Sequence, residues 1–300
     1  RTNAYTNVLA AWVLARTGDA VQLLAGHHCG ELWERIEVTD EELKQFERIS
    51  RNLRVCFHDR VISQFDGYDR LAELDWDAYR ARYGNIGRLD LILHAEGDST
   101  NRYKLAKQAD VLMLVYLLGP EGLRSVLHRL GYDLDDDLLQ RTVDYYLSRT
   151  AHGSTLSRVV HAWALARTHR AESFELFREA LRADLDDTQG GTTGEGIHLG
   201  AMAGTLDLLL RGYAGIELRD DVLWLDPALP PDLPALAFEI FYRRQRIHVE
   251  VSDAQLRLSV APCQAAPVHV AVAGNKVLAV HPGQHLQFPL PGRRPDTATN

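Results

Sequence analysis

Cysteine is scarce in this chain: three residues in 300, Cys29, Cys56 and Cys263, widely spaced and without a Cys-x-x-Cys pair. An odd, scattered set excludes a disulfide framework and a zinc knuckle, and a reducing cytoplasm is the expected compartment. No run approaches the ~20 apolar residues of a membrane helix. The opening Arg-Thr-Asn-Ala-Tyr has neither the charged nor the apolar stretch of a signal peptide, so no membrane partner is expected. Positive charge is also short, with 33 Lys and Arg against 41 Asp and Glu, a net charge of −8. Binding a phosphate backbone takes clustered Lys and Arg. The one cluster, Arg243, Arg244 and Arg246, is too small, so no nucleic acid is expected. His27, His28 and Cys29 have no carboxylate or third ligand at helical spacing, so no metal is expected.

What is present is a chain that is 46% hydrophobic and 25% charged, enough for a full core. Up to about residue 212 the apolar residues keep a helical spacing. Examples are Ala4-Val8-Trp12-Ala15, Leu105-Val111-Leu112-Val115-Leu118 and Val159-Val160-Trp163-Ala164. From Leu236 the period becomes two. Leu236-Phe238-Ile240, Ile247-Val249-Val251, Leu256-Leu258-Val260 and Val268-Val270-Val272 read as short antiparallel strands, with turns at Ser252-Asp253 and Gly274-Asn275. Four prolines, Pro227, Pro230, Pro231 and Pro234, remove amide donors and fix φ in the connection. The expected fold is mainly α, followed by a small antiparallel β-domain. The expected domains are 1–214 and 215–300, the second with a disordered tail. Trp12, Trp33, Trp163 and Trp224 read as core, and Ala201, Ala203 and Gly204 as small residues for close helix packing.

Two loops in the helical part have the composition of an anion site. His152-Gly-Ser-Thr-Leu-Ser157 follows one amphipathic helix and opens another, with Ser154 placed as N-cap and amides available at a helix start. Asp187-Thr-Gln-Gly-Gly-Thr-Thr-Gly-Glu-Gly-Ile-His198 has the Thr192-x-x-Glu195 spacing of a capping box. Gly190-Gly191 permits close backbone approach, and Glu195 and His198 fall three apart, on one face of a helix. Both loops also read as well-capped helix starts, His198 as a satisfied core histidine, and Lys107 as a surface residue on an apolar helix.

The segments Thr-Ala-His-Gly-Ser-Thr-Leu-Ser (150–157), Gln-Gly-Gly-Thr-Thr-Gly-Glu-Gly-Ile-His-Leu-Gly-Ala-Met-Ala-Gly-Thr (189–205) and Lys-Gln-Ala-Asp-Val-Leu-Met (107–113) resemble motifs of glycoside hydrolase family 65 in type, order and spacing. So do Asn-Ala-Tyr-Thr-Asn (3–7), Gln-Phe-Asp-Gly-Tyr (64–68) and Tyr-Gly-Asn-Ile (83–86). The resemblance implies the second half of an α/α six-hairpin barrel followed by the small β-domain. It also implies inverting phosphorolysis of an α-glucoside to β-glucose 1-phosphate, with inorganic phosphate as co-substrate and no cofactor. Lys107 and Gln108 would hold the glucosyl unit. His152, Ser154, Thr155, Ser157, Thr193 and His198 would lie in or near the phosphate site, and Phe65 and Tyr68 would be available to stack on the acceptor sugar. Trehalose is favoured by the Gln-Gly-Gly-Thr-Thr form of the loop, and relatives commonly form homodimers.

The family's general acid lies in a Gly-Pro-Asp-Glu-Tyr-like segment shortly before the Asn-Ala-Tyr-Thr-Asn stretch. No such segment occurs in these 300 residues. No catalytic acid is therefore assigned within them: it is expected upstream of Arg1, and the chain alone is expected to be inactive. The alternatives are an α-glucoside hydrolase of the trehalase or kojibiose hydrolase type, and a non-catalytic fragment. Hydrolysis with inversion needs a second carboxyl, which the His152-Gly-Ser-Thr loop lacks.

Overall fold

A computed structural model describes residues 2–25, 35–188 and 193–291. The chain divides into two compact units, Arg1–Ser157 and Arg158–Asn300.

In the first unit, α1 (Ala4–Ala25) lies against α2 (Asp40–Ser50) and against α5, described below. α2 begins at a reciprocal capping box. The Thr39 hydroxyl accepts from the Glu42 amide at 3.2 Å, and the Glu42 carboxylate accepts from the Thr39 amide at 2.9 Å. A short hairpin, β1 (Phe57–His58) with β2 (Val61–Ile62), follows. Next come α3 (Trp76–Tyr83) and α4 (Leu89–Ala95), then the central α5 (Asp110–Arg129) and α6 (Asp136–Leu147). α5 buries Val111, Leu112, Leu114, Val115, Leu123, Val126 and Leu127. It is the one described helix long and apolar enough to cross a membrane by composition. It is also broken at Gly119, where φ 68 and the following Pro120 interrupt the hydrogen-bond ladder.

The buried stripe of α1 is Ala4, Val8 and Ala11, spaced four and three, while Trp12 is 36% exposed. One residue is about 100° of helix, so Ala11 turns to the core and its neighbour to the flank. The expectation that Trp12 belongs to the core is corrected accordingly; Trp33 lies outside the described residues.

The second unit carries most of α7 (Thr155–Leu165), then α8 (Arg170–Arg182), α9 (Leu199–Asp207) and a π-helical turn, Leu208–Tyr213. Strands follow at once: β3 (Ile216–Arg219), β4 (Val222–Leu225), β5 (Ala235–Tyr242), β6 (Gln245–Ser252), β7 (Gln255–Val260), β8 (Val268–Val272), β9 (Leu278–Val280) and β10 (His285–Pro289). They form two four-stranded sheets, ordered β10-β7-β6-β5 and β3-β4-β8-β9. The chain is thus mainly helical with small sheets after it, and the four strands read from the period of two are β5 to β8.

Two features depart from that reading. The hairpin β3–β4 precedes the prolines, so the proline-rich segment joins β4 to β5 within the sheet region. Four-residue strands are too short to show a period. All strand pairs are antiparallel except β4 with β8, which run parallel, Val222 opposite His269. A parallel neighbour requires a long crossover, and the excursion through β5, β6 and β7 supplies it. The inward residues Ile247, Val249, Val251, Leu256, Leu258 and Val260 join Leu223, Leu225, Val268, Val270 and Val272 in one core.

Candidate functional site

Backbone contacts join four of the six family-like segments in two pairs inside the first unit, 3–7 with 64–68 and 107–113 with 150–157. The Ala4 amide donates to the Gln64 carbonyl at 2.9 Å, and the Asp66 amide to the Thr2 carbonyl at 3.0 Å. Ala106 pairs with Thr150 as an isolated bridge, and the Gly153 amide donates to the Lys107 carbonyl at 3.0 Å. Gly153 is closely surrounded there: a Cβ would lie 3.0 Å from Lys107 Cγ and 3.1 Å from the Gly87 carbonyl oxygen. Gly87, directly after the 83–86 segment, the Lys107-Gln108 bend and the His152-Gly153-Ser154 loop therefore meet at one point. His152 adopts a left-handed φ of 54° in the loop.

Around this junction lie two clefts. The first, of about 120 Å³, is lined by Tyr5, Gln108, Asp110, Met113, Ser154 and Ser157 among others. The second, of about 210 Å³, includes Gln64, Phe65, Asn101, Tyr103, Lys107, Gln108 and Asp110. Gln108 and Asp110 line both. Ser154 stands just before α7, its carbonyl accepting the Ser157 amide at 3.1 Å. Ser157 is 2% exposed, and its hydroxyl has no hydrogen-bond partner among the described residues. A buried hydroxyl without a partner costs about 1–3 kcal/mol, so a ligand oxygen delivered to this cleft recovers that penalty.

Lys107 lies in a bend before α5, not on a helix, because the helix starts only at Asp110. Its ammonium donates to Asp90 at 2.8 Å, and Arg88 approaches the other carboxylate oxygen at 3.3 Å. Burial raises the Asp90 carboxyl, but the Lys107 and Arg88 hydrogen bonds outweigh it and hold the group below the usual carboxylate range. Asp110 moves in the opposite direction. Burial lifts its carboxyl above the usual range, against the pull of the Gln64 amide, which donates to it at 2.7 Å.

A carboxyl whose folded pKa is raised takes stability away as pH rises through its unfolded and then its folded value. Asp110→Asn, which keeps an acceptor for Gln64, is therefore expected to melt higher than the wild type at neutral pH. The gain should disappear in acid, where both side chains are neutral. Thermal melts across pH check this; an equal or lower melting temperature at pH 7 would contradict it.

Not every expected residue lines these clefts. Thr155 is buried and lines neither cleft. Tyr68 is fully buried against His58, Phe65 and Tyr146, so it is not available to stack on a sugar; Phe65 lines the second cleft. Thr193 and His198 belong to the second unit. Glu195 closes a 3-10 turn, Thr193–Glu195, whereas His198 is the N-cap residue of α9, so the two do not belong to one helix. Residues 189–192, with the capping box built on Thr192, and His27, His28 and Cys29 lie outside the described residues. Among the described residues no cluster of His, Cys, Asp and Glu could hold a metal.

Three carboxylates escaped sequence reading. Asp90 and Asp110 join partners 17 and 46 positions away, which no local spacing reveals. Asp184 accepts from the His198 backbone amide at 2.9 Å and pairs with its ring Nδ1 at 2.5 Å.

A family model described as the glycosyl hydrolase family 65 central catalytic domain matches residues 1–207, and one described as the family 65 C-terminal domain matches residues 216–279. An uncharacterised glycosyl hydrolase of Mycobacterium tuberculosis is 52% identical over 273 residues, covering 91% of this chain and 21% of that protein. Trehalose 6-phosphate phosphorylase of Lactococcus lactis is 36% identical over 262 residues, covering 86% of this chain and 32% of that enzyme. A solved structure of a putative kojibiose phosphorylase from the human microbiome superposes with a TM-score of 0.76 at 20% identity, covering 97% of this chain and 40% of its own length. The chain thus spans between a fifth and a third of these curated relatives.

Proposed function

Because this chain belongs to glycosyl hydrolase family 65, we propose that it serves a glycoside phosphorylase, as part of a longer polypeptide, in the inverting phosphorolysis of an α-glucosyl disaccharide of the trehalose type. One phosphate oxygen attacks the anomeric carbon, the glycosidic C–O bond breaks, and a glutamic acid outside these residues protonates the departing oxygen. The products are β-glucose 1-phosphate and the acceptor sugar. Residues 1–214 supply part of the α/α-barrel and 215–300 the C-terminal β-domain, a division supported by the change from helix to strand beside Gly215.

The observation that carries the reading is the junction where Lys107 and Gln108 meet the His152-Gly153-Ser154 loop beside two clefts that Gln108 and Asp110 both line. Lys107 and Gln108 are assigned to the glucosyl unit. His152, Ser154, Thr155, Ser157, Thr193 and His198 are assigned to phosphate, which needs donors that fix it without protonating it fully. The name of the Lactococcus lactis relative supports both the phosphorylase reaction and the trehalose-type substrate. A second reading, hydrolysis, draws on one feature: the Asp110 carboxyl lines both clefts.

The full-length gene product should release β-glucose 1-phosphate from trehalose, trehalose 6-phosphate, kojibiose or maltose only when phosphate is present. Glucose release without phosphate would favour the hydrolase. His198→Ala should raise the phosphate KM by roughly 10- to 100-fold, the worth of a charge-assisted hydrogen bond, and the sugar KM far less.

A further inference from the structure

We propose that Asp184 is the positioning residue of His198, a role that rests on the assignment of His198 to phosphate. One carboxylate holds this residue at two points. Oδ2 accepts from the His198 backbone amide at 2.9 Å, and Oδ1 meets ring Nδ1 at 2.5 Å. The Asp184 side chain is only 8% exposed, while the His198 ring is 31% exposed.

The two-point hold has chemical consequences. A carboxylate only accepts, so the ring nitrogen facing it must carry the proton, and Nδ1–H becomes the fixed tautomer. The backbone bond pins the residue at the start of α9, so the ring has one anchored root and one anchored edge. This is the arrangement in which a neighbouring carboxylate sets the orientation of a functional imidazole. The His198 hydrogen bonds also keep Asp184 ionised, lowering its carboxyl below the usual range.

The test uses Asp184→Asn, Asp184→Glu and His198→Ala in the full-length gene product, with inorganic phosphate and the disaccharide varied separately. Ring ¹⁵N shifts of His198 are read in parallel on the 300-residue chain. Asp184→Asn is expected to raise the phosphate KM about 10-fold with the sugar KM unchanged, and to move the ring away from Nδ1–H; Asp184→Glu should restore part of both. The unchanged sugar KM separates this result from misfolding. The proposal is overturned if Asp184→Asn leaves the tautomer unaltered, or leaves the phosphate KM unaltered in an enzyme where His198→Ala raises it. If His198→Ala itself does not affect phosphate, the assignment of His198 fails, and Asp184 loses its role with it.

Discussion

Lys107→Ala is expected to lower kcat/KM for the disaccharide by roughly 10²- to 10³-fold in the full-length gene product, while moving the melting temperature by only a few degrees. The two effects have different sizes because they depend on different interactions. The Lys107–Asp90 pair is half exposed, with Lys107 at 47%, and such pairs contribute about 0–1 kcal/mol. Arg88 also remains as a partner for Asp90 when the ammonium is removed. Positioning a reacting sugar is worth far more, since a misplacement of about 1 Å costs around 10²-fold. Lys107 stands where the Gly153 amide meets the Lys107 carbonyl, so its backbone is held by the loop beside it while its head reaches the cleft wall. Initial rates and a thermal melt on the same preparation measure both quantities. A rate within a few-fold of the wild type would remove Lys107 from the sugar site and leave it as a surface ion-pair residue.

Gly215→Ala is expected to destabilise the second unit by about 2–5 kcal/mol, combining a left-handed φ for a residue with a side chain and overpacking against backbone. Gly215 has φ 65, and a Cβ there would collide with the Asp226 carbonyl oxygen. That carbonyl cannot retreat cheaply. It accepts from the Arg167 guanidinium at 2.6 Å, and the Asp226 amide donates to the Gly215 carbonyl at 3.1 Å. The turn sits directly between the last helical turn and β3, where the Tyr213 carbonyl also accepts the Ala228 amide. Gly274→Ala provides the comparison. Its φ is 76, but nothing lies within 4 Å of the added carbon, so only the backbone cost of about 1–2 kcal/mol applies. Denaturant melts of the two variants should therefore differ by at least 1 kcal/mol, with Gly215→Ala the worse. Equal losses would mean that the chain relaxes around Gly215.

The readable part of this fold is the part encoded by neighbours. Val111, Leu112 and Val115 announced a buried helix because side chains one turn apart share a face, and Ile247, Val249 and Val251 announced a strand because alternate side chains do. The stripe of α1 was misplaced by one residue at Trp12, since a large apolar side chain weighs on a pattern that Ala11 in fact completes. Lys107 was assigned to a helix because the apolar run continues past it, whereas the bend at Lys107-Gln108 is imposed by pairing with residues 149–153.

The sequence by itself determined the switch from a period of 3.6 to a period of two, the glycine and hydroxyl composition of the two loops, and the family, because each is a property of residues close together along the chain. Tertiary structure alone decided that Gln64 holds Asp110 and that Lys107 holds Asp90. It likewise decided that β4 lies parallel to β8 and that Tyr68 is sealed in the core. Each of these joins residues separated by more than a turn or a hairpin, and which distant partners meet is set by how whole elements pack, a choice that local spacing does not contain.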